Sequence, residues 1–242
     1  MVNRRQATPF IGWTVAVLLI TVGCTLGSWQ LRRMHEKEAM LAAVATVVHD
    51  RKPRPLAVAG DPARAQAYDW TAGEGRFLPQ PAWLLDNQQR DGRPGVRVFR
   101  LFQPLDAAPL LVEMGWVQVA ADRTLPAIAP PPTGTVAVRG LLLPPPSGGL
   151  LAGAESRTAD GAHLVIALVP ATIAAESGLP TLAPRILRLD PALPIGQARD
   201  LDVLPNTLSP DRHLGYAVQW FALSAAVLVI ALLLTLRQRR RP

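Results

Sequence analysis

PFIGWTVAVLLITVGCTLGSW at residues 9–29 and YAVQWFALSAAVLVIALLLTL at residues 216–236 decide the fold. Neither stretch contains a charged residue. Each matches the roughly 20 residues a helix needs to cross a hydrocarbon core about 30 Å thick. Phe10, Trp13 and Trp29 on the first, and Tyr216, Trp220 and Phe221 on the second, supply rings that favour the headgroup region. The sequence therefore predicts a tail over residues 1–8, a transmembrane helix over 9–31, a second over 213–236 and a basic tail over 237–242.

The charge distribution sets the orientation. The net charge of +7 is concentrated at the ends, where Arg4, Arg5, Arg237, Arg239, Arg240 and Arg241 lie with no acidic residue beside them. Between the spans, residues 32–212 hold 19 basic against 18 acidic groups. A nucleic-acid binder would carry its basicity on the folded domain, so that class is excluded. Two spans put both tails on one side, and the positive-inside rule assigns that side to the cytoplasm. Arg32, Arg33 and Lys37 pull the other way, but so long a connection is largely exempt from the rule. The expected location is the cell inner membrane, with the lipid bilayer as one partner and residues 32–212 in the periplasm. The first span reads as an uncleaved anchor, because its apolar run is long and no A-x-A-like site follows it. Thr21-Val22-Gly23-Cys24 half-resembles a lipoprotein processing site, but Thr21 stands where a large aliphatic residue belongs. A single cysteine, Cys24, leaves no disulfide framework or C-x-x-C pair within the chain.

The middle reads as one β-rich α+β domain. QLRRMHEKEAMLAAVATVV, residues 30–48, is free of Gly and Pro and should extend the first helix as a stem. From Tyr68 onward, short apolar runs are separated by turn chemistry: AWLLD, then NQQRDGRPG with the turn signal Asp91-Gly92-Arg93-Pro94-Gly95, then VRVFRLF, whose Val96–Leu101 alternates as a half-buried strand does, then PLDAAP and LLVEMGWVQV. Thr135–Leu143 and His163–Val169 read as further strands, and Ala171–Gly178 as a short helix. The triplets Pro130–Pro132 and Pro144–Pro146 fit semi-rigid connections, and residues 147–162 a flexible loop.

No catalytic constellation can be assembled. None of His35, His49, His163 and His213 lies in a metal-ligand spacing, and no G-x-S-x-G, Walker or dinucleotide motif occurs. The sequence points away from an enzyme, although a polar pocket inside the β-rich domain would revive a membrane-anchored hydrolase. What stands out lies at the membrane edge. Gln30, Arg33 and Lys37 fall at i, i+3 and i+7, and His213, Tyr216 and Trp220 repeat that spacing, with Ser224 one turn on. An imidazole there could ligate heme iron, pair with a carboxylate, or simply sit beside an ordinary aromatic belt.

Three separated signatures resemble the surfeit locus protein 1 family of cytochrome c oxidase assembly factors. Leu26-Gly27-Ser28-Trp29-Gln30-Leu31-Arg32-Arg33 with Lys37 is similar to the family's L-G-x-W-Q-x-x-R-x-x-x-K. Gly115-Trp116-Val117 is similar to its central G-W-V, and His213–Phe221 to its H-L-x-Y-A-x-x-W-F. Gly75-Arg76-Phe77 and Arg93-Pro94-Gly95 sit where the family has G-x-F and a P-G turn. Glu113 and Met114 stand where the family usually has Asn-Arg, and Asp211 where it usually has Asn.

The resemblance implies a non-enzymatic factor that aids heme a insertion into cytochrome c oxidase subunit I, with heme a synthase as donor. It implies that heme a is the cofactor, held transiently, with His213 as the axial ligand of the heme iron. Trp29, Gln30, Arg33 and Lys37 would then form the first-helix half of the site, with Tyr216 and Trp220 as ring neighbours. The alternative is a cofactor-free membrane scaffold for oxidase subunits.

Overall fold

The computed structural model describes residues 4–120, 122–125, 127–146, 155–158, 160–204 and 208–239. Its helices are α1 (Arg4–Asp50), α2 (Pro170–Glu176) and α3 (Pro210–Arg239). Its strands are β1 (Arg54–Pro55), β2 (Asp69–Phe77), β3 (Trp83–Arg90), β4 (Arg93–Pro104), β5 (Leu110–Gln118), β6 (Val136–Leu143), β7 (Glu155–Arg157), β8 (His163–Val165) and β9 (Ile186–Leu189). The chain divides into two compact units, residues 1–42 with 207–242, and Ala43–Asn206. A mixed sheet thus lies in sequence between two long apolar helices, as the α+β expectation requires.

The helical unit is an antiparallel pair. On α1 of this unit Ala16, Gly23, Gly27 and Met34 are buried, with Ile20, Gln30 and Lys37 half-buried on the same seam; on α3 His213, Ala217 and Ser224 are buried, with Trp220 and Val227 half-buried between them. Their spacing alternates between three and four residues, the 3.5-residue average that keeps one seam facing a partner helix. Trp13 Nε1 donates to Thr235 Oγ1 at 3.0 Å, and Ser224 Oγ, which donates to the Trp220 carbonyl of its own helix at 3.0 Å, lies 3.5 Å from the Ile20 carbonyl. Glycine is needed at two positions of this seam. A Cβ on Gly23 would run into Ser224 Oγ, and one on Gly27 would lie 2.8 Å from the Phe221 ring. Small residues let helix backbones approach closely where apolar burial gives no drive, as in lipid. Away from the seam, Leu18, Leu19, Leu233 and Leu234 are more than half exposed. By length and composition both helices can cross a membrane.

In the other unit, α1 ends where Arg51 takes φ +45° and Pro53 follows. The sheet order is β1-β2-β6-β9-β5-β4-β3-β8-β7, with an additional β2–β4 pairing. That pairing, Gly75–Phe77 against Phe102–Pro104, closes β2, β6, β9, β5 and β4 into a ring. Alternation then supplies an apolar cluster to each face. Val96, Val98, Phe102, Leu110, Val112 and Leu187 build one; Phe99, Leu101, Leu111 and Ile186 build the other with Val44, Trp83 and Ile173.

Three expectations need correction. The stretch NQQRDGRPG is not a long turn: Gln88, Gln89 and Arg90 pair with Gly95, Pro94 and Arg93. The turn narrows to Asp91-Gly92, whose φ angles of +51° and +73° are those of a two-residue hairpin. The polar run was extended rather than looped because a bulge after Leu85, with Asn87 at φ +61°, absorbs its irregularity. The strand expected over His163–Val169 stops at Val165, since Pro170 starts α2. Of the loop expected over residues 147–162, residues 147–154 and 159 lie outside those described, and β7 occupies Glu155–Arg157.

Candidate functional site

At the sheet-proximal end of its sequence, α3 starts on Pro210, with Asp211 in the first turn where a carboxylate meets the positive end of the helix dipole. The Ser209 carbonyl accepts from the amides of Arg212 and His213. This start fixes His213 on the seam, where it is 5% exposed. Its Nδ1 lies 2.6 Å from Gln30 Oε1. An amide oxygen can only accept, so Nδ1 carries the proton in this contact, and in the neutral ring Nε2 then keeps its lone pair. That Nε2 is buried and has no hydrogen-bond partner among the described residues. A buried imidazole whose far nitrogen is free and whose near nitrogen is anchored is the form metal-ligating histidines take.

One turn and more beyond Gln30, the pair is pinned again. Lys37 Nζ donates to the Leu208 carbonyl. Burial lowers the Lys37 pKa from the ordinary lysine value, and the neighbouring Arg33 charge lowers it further. An anion placed near Lys37 would relieve both effects. Arg33 itself is exposed and bonds Glu36 at 2.8 Å.

The seven residues singled out in the sequence thus sort into two groups. Gln30 and His213 are brought into direct contact, and Lys37 and Trp220 share their seam. Trp29 and Tyr216, 45% and 41% exposed, and Arg33 lie on the outer surfaces of their helices. Ala217, completely buried, holds the seam position next to Tyr216.

A second polar centre, which the sequence reading missed, lies in the sheet unit. Arg97 on β4, Glu113 on β5 and Arg188 on β9 share one face and are all more than nine-tenths buried. Glu113 receives Arg97 Nη1 on Oε1 and Arg188 Nε on Oε2, the latter at 2.9 Å. The register explains the meeting: Glu113 pairs with Arg188, while Arg97 pairs with Trp116. Met114 is the bulged residue, which forces Gly115 to φ +125° and turns Trp116 onto the Arg97 face. The Trp116 ring lies over Gly95, where a Cβ would collide with it. A charged residue interrupting the apolar run LLVEMGWV was the available signal.

A cavity of about 390 Å³ opens beside this centre, lined by Arg90, Arg97, Glu113, Trp116, Arg199 and Asp200 among others. It is the polar pocket that a hydrolase would need. Its lining holds no Ser, Thr, Cys, His, Lys or Tyr, and both Glu113 oxygens are engaged by guanidinium groups. Asp200 and Asp202 cap the amides of Asp202 and Leu204. Among the described residues, the lining offers guanidinium, carboxylate and indole groups and no hydroxyl, thiol or imidazole.

With both centres placed, comparison with known proteins gives the family. The SURF1 family model matches residues 17–225, which takes in the Gln30–His213 contact and the whole ring of strands. This chain belongs to the SURF1 family. No curated protein matches the chain. The SURF1 family is associated with cytochrome c oxidase assembly, and its members are assembly factors rather than catalysts. In this SURF1-family chain, Arg97 and Arg188 supply the counter-charges of Glu113.

Proposed function

We propose that the chain is a two-span inner-membrane protein that aids heme a insertion into oxidase subunit I. In this reading it takes the cofactor from heme a synthase and holds it transiently through His213. Both arginine-bearing tails would face the cytoplasm, and the sheet unit the periplasm. The two long apolar helices, with large aliphatic side chains exposed away from their seam, support the membrane placement.

The observation that carries the cofactor reading is the unpartnered, buried Nε2 of His213 opposite a Gln30-anchored Nδ1. The free Nε2 is a donor that suits heme a, which when bound would supply an iron able to take an axial nitrogen, and propionates that need cations. His213 would hold the iron, with Gln30 fixing its tautomer. On the seam, Lys37 would receive a propionate and Trp220 would offer a ring surface; Arg33, Trp29 and Tyr216, on the outer surfaces, would meet only a part of the group that extends past the seam.

The test is the spectrum of the full chain purified from cells that make heme a. A Soret band is expected in the wild-type and Arg239→Ala proteins and should vanish in His213→Ala. If His213→Ala strains assemble oxidase with full heme content, the cofactor-free scaffold takes its place.

A further inference from the structure

The helical unit carries its charge very unequally. At one end both signs are mixed: Arg33 bonds Glu36, His35 lies beside Glu38, and Asp211 adjoins Arg212. At the other end Arg4 and Arg5 open α1, Arg237 and Arg239 close α3, and Arg240 and Arg241 follow in the sequence, with no acidic residue in either tail. The bond from Trp13 to Thr235 joins the helices next to these tails. At 1.5 Å per residue, Arg239 lies about 6 Å beyond that bond along α3 and Arg5 about 12 Å beyond it along α1. Because the helices are antiparallel, both displacements point the same way. Six like charges are thus gathered at one end of the pair instead of being split between its ends.

Nothing in the unit offsets them. Arg237 and Arg239 are exposed, and among the described residues neither has an ion pair. Like charges held together repel one another and raise the local concentration of anions. The planar guanidinium is matched to phosphate oxygens in particular. Next to the arginines the surface turns apolar. Phe10 and Ile11 on α1, and Leu234 and Leu236 on α3, are more than half exposed. A free phosphate would use the cations alone, whereas an amphiphile would use the cations and the apolar wall together.

We propose that this end of the helical pair is a binding site for anionic phospholipid. The arginines receive the phosphodiester, and the acyl chains lie along Phe10, Ile11, Leu234 and Leu236. A zwitterionic lipid offers the same chains, but its own ammonium group competes for its phosphate. Bound anionic lipid also offsets the repulsion between the two tails. The site rests on the two-span reading and does not depend on heme binding.

The test uses the full chain in vesicles of equal parts phosphatidylglycerol and phosphatidylcholine, washed with alkaline carbonate and extracted in mild detergent. Mass spectrometry of the extract counts the lipid that stays bound. Phosphatidylglycerol should exceed phosphatidylcholine at least about fivefold, the preference that one arginine near an anionic surface confers. Arg237→Gln with Arg239→Gln should lower that ratio about fivefold or more. Arg32→Gln with Arg212→Gln removes as many charges from the opposite end and should leave the ratio as it is. Raising salt from about 0.1 to 1 M, which shortens the screening length from ~10 to ~3 Å, should lower it. Inorganic phosphate should displace no more lipid than sodium chloride at the same ionic strength. If phosphate displaces more, the site is one for free phosphate and the proposal fails. A wild-type ratio near one, or an equal fall in the two double variants, overturns it as well. These outcomes leave the two-span reading standing, since the chain has resisted carbonate. A chain that carbonate washes off takes both down.

Discussion

Removing the Glu113 carboxylate should be among the most damaging single changes available in the sheet unit. Glu113→Ala leaves Arg97 and Arg188, 7% and 2% exposed, facing one another with nothing between them. Breaking a buried ion pair by deleting one partner costs about 3–5 kcal/mol, because the survivor stays buried and unpaired. Here two survivors remain, so the lower end of that range is a floor. Against a total stability of about 5–15 kcal/mol, the loss is a large fraction. With a urea slope of about 1–3 kcal/mol per molar, the midpoint should fall by at least ~1 M. Hydrogen exchange of peptides from β5 and β9 under increasing urea reads the sheet unit apart from the helices. The triple variant Arg97→Met, Glu113→Leu, Arg188→Met removes all three charges and should recover native-like protection, since apolar replacement of buried ions is often neutral or stabilising. A Glu113→Ala midpoint shift below ~0.5 M, or a triple variant no better than the single one, would refute this account.

Three further outcomes follow from other parts of the molecule. Burial alone would raise the pKa of Asp69, but hydrogen bonds from Arg64 and Arg185, with their charges, hold it below the usual carboxylate range. Its folded-state pKa is therefore below the unfolded one, so the stabilisation is complete above the unfolded value and is lost as pH falls through the folded one. Sheet-unit stability measured from pH 7 downward should hold to about pH 4 and then drop, with a shallower drop in Asp69→Asn. Gly23→Leu should force the helices of the pair apart. A short bifunctional thiol reagent that joins Trp13→Cys to Thr235→Cys in a Cys24→Ser background should lose most of its yield, while Gly12→Leu, with open space around it, keeps it. Gln30→Leu removes the acceptor that orients His213 and should weaken heme binding about 10–100-fold, the usual effect of losing such an orienting partner. A titration followed at the Soret band checks this, and unchanged affinity would detach Gln30 from the site.

The two long apolar helices were legible because their signal is long and one-dimensional, whereas their pairing was not, since it depends on which face of each meets the other. The contact between Gln30 and His213 was only half legible. Spacing placed each at the mouth of its helix, but the same spacing put Arg33 and Tyr216 on their faces, and both turned outward. The seam steps by four and three alternately, so i+3 from His213 misses it and i+4, at Ala217, meets it. In the sheet unit the losses have one cause. β9 reads Ile-Leu-Arg-Leu after Arg185, which resembles a solvent-facing edge, yet Arg185 and Arg188 are both buried. Each arginine is compensated by a carboxylate distant in sequence, Asp69 for one and Glu113 for the other. Periodicity counts charged residues as outward, and only tertiary pairing reverses that. β2 was hidden for a related reason: DWTAGEGRF mixes glycine and acid, and becomes a strand because β6 and β4 pair with it.

The two polar centres answer one physical question in opposite ways. In the sheet unit, buried charge is retained by supplying charge: Asp69 and Glu113 each hold more than one arginine. On the helix seam no acid is spent on His213. Its partner is the neutral Gln30, which orients the ring without adding a charge to it. A carboxylate in place of Gln30 would favour the imidazolium form, whose second nitrogen is a donor and cannot ligate. Gln30→Glu is therefore the most informative substitution at this centre. It is close in size, keeps an acceptor near Nδ1, and should still stabilise the helical pair. If the neutral amide matters only for packing, heme retention is unchanged. If it holds His213 in the ligating form, retention in Gln30→Glu falls as pH is lowered from 8 to 6, while the wild-type protein stays level over about the same range. A flat profile in both proteins would leave Gln30 a packing residue and remove the main structural support for ligation by His213.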